Sequence, residues 1–272
     1  MVHSGLEDKL TNNRLVVVAL CVLATAGLAT ASCSAKNQAS GGSPSVTSSP
    51  TPPSAKDALL LSAKSFDQST YDFQVKQAGV SGIGKMDPVN KAAQVNISGN
   101  IAGQSLAMGF IVVGSDMWLK EDLGAAANKH FGINKSKWML VDQSKIKNKT
   151  ALPVDSNGAA SIGTSDMLAG LVSVQRTDDT HFTGTMDVTN ANNLLSPDKT
   201  VLTKVGDKAK AVPFTATLDG QGRLSDVKVD GTGIDPGLSI ETTFSNFGGT
   251  ATITKPAGAI PAPAGVYTIL NG

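Results

Sequence analysis

The chain has 272 residues, 40% of them apolar and 17% charged, with a formal net charge of +1. That length and apolar content suit one globular β-rich domain and exclude wholesale disorder. The balanced charge argues against a nucleic-acid binder, which carries a basic excess or stripe.

Residues 1–32 read as a secretory signal peptide. Lys9 and Arg14 form a modest cationic start, and Leu15 to Leu28 is an almost unbroken apolar run. Small residues follow, Ala29-Thr30-Ala31-Ser32, and then Cys33. Basic, then apolar, then small is the order of an export signal. The apolar run falls short of the roughly 20 residues that a membrane span needs, which leaves a retained signal anchor as the lesser alternative. A single Arg rather than a twin pair points to the general secretory route.

Cys33 is the expected lipidation site. Thr30-Ala31-Ser32-Cys33 resembles the lipobox of bacterial lipoproteins, with Thr where that family usually has Leu. In that family the first mature cysteine is acylated. The other of the two cysteines, Cys21, lies in the leader, so an exported chain keeps one thiol and forms no internal disulfide. A leftover thiol in an exported protein calls for an explanation, and acylation supplies one. The alternative is cleavage near Ala31 with an idle Cys33. The expected location is the extracytoplasmic face of the cell membrane, held by the lipid.

Residues 33–55 are Ser, Pro, Thr, Gly and Ala with few bulky side chains, the composition of a disordered tether. A folded domain is expected over 56–256, and a tail over 257–272. Lys56 to Phe66 reads as a first helix, with Leu59, Ala63 and Phe66 on one face and Ser54 as its cap. From Tyr71 the pattern changes to period two. Phe73 and Val75 alternate with polar residues, as do Val95 and Ile97. Leu106, Met108, Phe110 and Val112 share a face, and Gly114-Ser115-Asp116 turns the chain into Met117-Trp118-Leu119. Further alternating runs start at Phe182, Phe214, Val227 and Leu238. Short strands separated by turn signals imply an antiparallel sheet with one dry and one wet face. Ser161 to Val174 and Asn190 to Val205 read as helical interruptions, the second with Pro197 in its first turn or breaking it. Gly99, Gly109 and Gly184 fall inside strands, where Gly often marks a bend or bulge.

Little in the chain points to catalysis. Of three histidines, His3 falls in the leader, and His130 and His181 lie on unlike segments. No Cys/His cluster has zinc spacing, and no nucleophile elbow or P-loop occurs. Asp178-Asp179 reads as a solvated turn. No enzymatic activity, cofactor or metal is expected. The dry face remains: Phe73, Val75, Val95, Ile97, Leu106, Met108, Phe110, Val112, Phe182 and Met186. These side chains either fill a plain core or line room for something apolar. Composition does not choose between the two.

The domain resembles the LppX/LprG family of actinobacterial lipoproteins over roughly Lys56 to Pro256. The resemblance rests on Asp57-Ala58-Leu59-Leu60, on Phe110 to Trp118 followed by Lys137-Trp138, on Val212-Pro213-Phe214 through Asp219-Gly220 to Arg223-Leu224, and on Phe244 to Gly248 ending in Thr252 to Pro256. The segment Gly124 to Lys137 and the stretch after Pro256 depart from it. The resemblance implies an α+β fold. A strongly curved antiparallel half-barrel sheet would carry helices on its concave side and enclose an apolar cavity. It also implies a membrane-anchored protein that binds acylated lipid or glycolipid in that cavity and carries it across the cell envelope, with an envelope transporter as a further partner. The ten dry-face residues then become cavity candidates. The competing readings are an envelope interaction module with a side-chain-filled core, and an envelope hydrolase.

Overall fold

Ser54 opens the first helix, α1 (Ala55–Ser62), by accepting a hydrogen bond from the Asp57 backbone N–H. Asp57 in the first turn complements the helix dipole. The single helix expected to reach Phe66 breaks after Ser62 and resumes as α2 (Ser65–Gln68). Two hydroxyls mark the break, since Ser62 donates to the Leu59 carbonyl and Ser65 to the Ser62 carbonyl. Such back-bonding competes with the helical ladder. The break lets Phe66 pack edge-on against Tyr71, ring centroids 4.9 Å apart, and against Phe244 at 4.6 Å.

The computed structural model describes residues 53–101, 104–147, 152–155, 160–189, 197, 199–250 and 252–271. The signal peptide, Cys33 and nearly all of the tether expected over 33–55 lie outside these residues. The strands that follow are β1 (Tyr71–Gln77), β2 (Val80–Asp87), β3 (Ala92–Ile101), β4 (Gln104–Val113) and β5 (Asp116–Asp122). Helix α3 (Ala125–Phe131) leads to β6 (Met139–Val141), and α4 (Thr164–Ala169) to β7 (Leu171–Arg176) and β8 (His181–Met186). Next come α5 (Lys199–Val205), β9 (Val212–Leu218), β10 (Leu224–Val229) and β11 (Ile240–Ser245). The chain closes with β12 (Ile260–Pro261) and α6 (Ala264–Asn271).

All twelve strands join one sheet in the order β12-β6-β5-β4-β3-β2-β1-β11-β10-β9-β8-β7. Neighbours run antiparallel except β12 beside β6. The sheet is curved and does not close on itself. Consecutive hairpins build its two wings, and the pairing of β1 with β11 joins them. Gly114-Ser115 makes the β4–β5 turn, between paired Val113 and Asp116. Gly114 has φ 63° and is the first central residue, the position a type II′ hairpin reserves for glycine. One face of the sheet and the buried sides of α1, α2, α4 and α6 form a single hydrophobic core.

Two expectations change, and a third is met over its described part. Ser161 to Val174 is not one helix, because α4 ends at Ala169 and Leu171–Arg176 is an edge strand. Gly170 sits against the Asp187 carbonyl, too close for any side chain, and Val172 and Val174 favour extended backbone. Within Asn190 to Val205 the described helix is Lys199–Val205, while 190–196 lie outside the described residues. The segment 257–272, expected to trail the domain, joins it. Ile260 pairs with Met139, and Val266 and Leu270 enter the core at 0% and 3% exposure.

Gly99 and Gly109 mark no bulge. The β3–β4 register runs unshifted through Gly99 and Gly109. Register shifts occur instead opposite Leu171/Ser173 and Leu224/Asp226. The glycines make room for neighbouring side chains. A Cβ on Gly109 would stand 3.1 Å from the Trp138 ring, and one on Gly84 2.6 Å from the Phe73 ring. Gly184 is different, since a Cβ there would run into the Ser173 backbone beside the register shift in β7.

Candidate functional site

Because strand side chains alternate, the register states which residues share a face. All ten dry-face candidates point to the same, inner side. Phe244, Phe73, Gly84, Val95, Phe110, Leu119 and Met139 form one row across seven adjacent strands. A second row lies two residues along. It runs Arg176, Phe182, Ala216, Val227, Thr242, Val75, Gly82, Ile97, Met108 and Glu121. Val112 flanks the first row, and Leu106 and Met186 lie beyond the second. The structure therefore gathers Phe73, Val95 and Phe110, and separately Val75, Ile97, Met108 and Phe182. Met186 sits at a distant corner against Leu171 and Val212.

The two rows differ in bulk. Aromatic rings and long aliphatics fill the first, and the Phe73 ring covers Gly84. The middle of the second is thin. Gly82 adds no side chain there, and a Cβ on it would rest in ordinary van der Waals contact, 3.8 to 3.9 Å from the Asn96 carbonyl, Val75 and Ile97. Nine of the ten candidates are buried, and Ile97 is half-buried. At the β7 edge of the row the Arg176 guanidinium stands 5.0 Å over the Phe182 ring.

Two buried polar side chains break this apolar face, and both belong to the second row, whose exposed β7 end also carries Arg176. Thr242 is 0% exposed and its hydroxyl has no hydrogen-bond partner among the described residues. Glu121 is 1% exposed, and neither carboxylate oxygen has one. Burial alone pushes the Glu121 carboxyl up to about 7. Its chain neighbours Lys120 and Asp122 point to the outer side. There Asp122 accepts from Lys135 at 3.1 Å and from Asn128 Nδ2 at 2.7 Å. The sequence reading stopped this strand at Leu119 and missed Glu121. The signal was present, since period two carried on from Met117 and Leu119 reaches Glu121.

The outer face holds a groove of about 450 Å³, bordered by Ile83, Asn96, Lys120, Asp122 and Trp138. Ile97, Met108 and Glu121 also border it, although strand alternation turns their side chains to the opposite face. His181 and Asp178 do meet, Nδ1 to Oδ1 at 2.8 Å, but both are more than half exposed. Backbone hydrogen bonds from Thr180 and His181 and the His181 side chain hold the Asp178 carboxyl down at about 2. That is a turn stabilised by its own side chain, as the sequence suggested. Among the described residues no group of His, Cys, Asp and Glu is placed to hold a metal ion, and no helix is long and apolar enough to cross a membrane. A scan against protein-family models finds no match to the chain, and neither does a comparison with curated proteins.

Proposed function

We propose that the protein is a lipid-anchored carrier, which binds acylated lipid or glycolipid against the inner face of its sheet and moves it across the cell envelope. One observation carries the reading. The second inner row is apolar from Val75 to Met108, and its middle member, Gly82, carries no side chain between Val75 and Ile97. An enclosed apolar cavity there would answer a large physical cost. A C16 chain in water costs about 12 kcal/mol at roughly 0.8 kcal/mol per CH₂, so an unassisted aqueous crossing is very rare. A dry interior cancels most of that cost while a sugar or phosphate head stays wet. The leader and Cys33 support the anchor, which would hold the carrier at the extracytoplasmic face of the membrane.

Native mass spectrometry of the purified protein tests the carrier. Co-purifying mass that dissociates as acylated lipid is the expected result, and a bare protein mass counts against it. Cys33→Ser tests the anchor. Fractionation should move the protein from the membrane pellet to the soluble fraction, and unchanged pelleting would refute lipidation at that residue.

A second reading is an envelope interaction module with a filled core. It draws on the burial of nine of the ten candidates, and on the outer groove beside Trp138 with Ile83 54% exposed. On that reading no lipid accompanies the protein, and the same spectrum separates the two.

A further inference from the structure

The inner face has a single acidic side chain along its second row, and it stands at the row's end. Strand β6 stops pairing at Met139, opposite Leu119, so no strand residue flanks Glu121 beyond Met108. The nearest inward residues are Met108 across the strand pair and Leu119 and Leu123 along the chain, all apolar and buried. The closest cation on this strand, Lys120, faces outward, and Lys135 is engaged by Asp122 on that outer side. Buried polar groups in folded proteins nearly always have partners, and one without a partner calls for a reason. Here two such groups share one row. Thr242 lies five strand spacings from Glu121, about 24 Å along the sheet at ~4.8 Å per strand. Only Val75, Gly82, Ile97 and Met108 lie between them. Between Thr242 and Glu121 the row is greasy throughout.

We propose that Glu121 is the polar anchor of the ligand: its carboxyl hydrogen-bonds a hydroxyl group carried by an otherwise apolar, acylated molecule. The inference rests on the carrier reading and narrows it. A hydroxyl both donates and accepts, so it can answer a carboxylate by donating and a carboxylic acid by accepting. A group held near neutrality by burial presents both forms around physiological pH. A phosphate at the same place would be repelled by the ionised form, and a plain hydrocarbon would leave both oxygens unpaired. The hydroxyl is therefore buried with the chain, as on a hydroxylated acyl chain or a glyceryl group beside it. A headgroup left at the rim would not reach Glu121.

The test uses a minimal pair of probes, 1-dodecanol and its methyl ether, at pH 8, where Glu121 is ionised and only the alcohol can donate to it. Displacement of a fluorescent apolar dye from the purified protein reports both affinities. The wild-type protein should prefer the alcohol by about tenfold or more, the size of a charge-assisted hydrogen bond gained in an apolar site. Glu121→Leu should bring the ratio to about one while keeping or improving binding of the ether. Glu121→Gln, which still accepts from a hydroxyl, should keep part of the preference. Wild-type binding of both probes with equal affinity, or a preference untouched by Glu121→Leu, would overturn the anchor and leave the carrier standing. If neither probe displaces the dye, the carrier reading falls and takes the anchor with it.

Discussion

Phe110→Asp is expected to lower the midpoint of thermal unfolding by on the order of 10–20 °C, at roughly 2–4 °C per kcal/mol for a domain of this size. Phe110 is 1% exposed and lies at the middle of the first inner row, between Val95 and Leu119. Truncating a buried Phe costs about 3–5 kcal/mol through lost burial and the cavity left behind. A carboxyl set in that space adds a polar group with no partner, which costs a further ~1–3 kcal/mol even when it stays protonated. Total stability of a domain is about 5–15 kcal/mol, so much of the margin would go. Ile97→Asp sets the contrast. Ile97 is half-buried in the thinner second row beside Gly82, so solvent can reach a carboxylate there. It should cost clearly less stability than Phe110→Asp and remove more lipid per folded molecule. Calorimetry paired with lipid analysis of the folded fraction reads both. Equal destabilisation by the two substitutions would mean that the second row is as tightly packed as the first.

The two rows show which features the sequence carries openly and which it hides. Alternation alone placed Phe73, Val95, Met108 and Phe110 on one side of a sheet, because a half-buried strand must repeat every second residue. It could not state that Phe73, Val95 and Phe110 fall in a line. That depends on registers between strands, and the β1–β11 pairing joins segments about 170 residues apart. Glu121 was hidden by its company, since Lys120-Glu121-Asp122 reads as a solvated charged run although the strand carries only its middle member inward. The glycines misled for a related reason. A strand glycine can mark a bulge or a place where a ring lies flat on the backbone. Only the partners of Gly84 and Gly109, which are rings, and of Gly184, which is the Ser173 backbone, tell these apart. At Leu171–Arg176 a local helical signal ran into an edge strand that owes its form to pairing with β8. Composition says nothing of the part that Val266 and Leu270 play in the core.

Glu121 should make the domain lose stability as pH rises, in a window set by the carboxyl itself. In the unfolded chain the group loses its proton near 4.5, and in the folded domain it holds it to about 7. Between those values the folded state binds more protons than the unfolded one, so unfolding free energy falls with rising pH. The penalty is absent below about pH 4.5 and complete somewhat above pH 7. It amounts to roughly 3 kcal/mol at 1.36 kcal/mol per pH unit. Carboxylates held low, such as Asp178, act in the opposite sense at more acid pH, and they cancel when the wild type is compared with Glu121→Gln. Urea unfolding of both proteins from pH 4.5 to 8 should give curves that diverge steadily, with the variant ahead by roughly 3 kcal/mol at the alkaline end. Parallel curves would mean that the carboxyl is solvated or paired in solution. The divergence also bears on the ligand. An ionised carboxylate in an apolar interior is a standing cost to the empty protein, and a bound hydroxyl relieves it. At equal saturating concentration, 1-dodecanol should therefore raise the stability of the wild type at pH 8 by about 1.4 kcal/mol more than its methyl ether does, the equivalent of a tenfold preference, and this difference should vanish in Glu121→Leu.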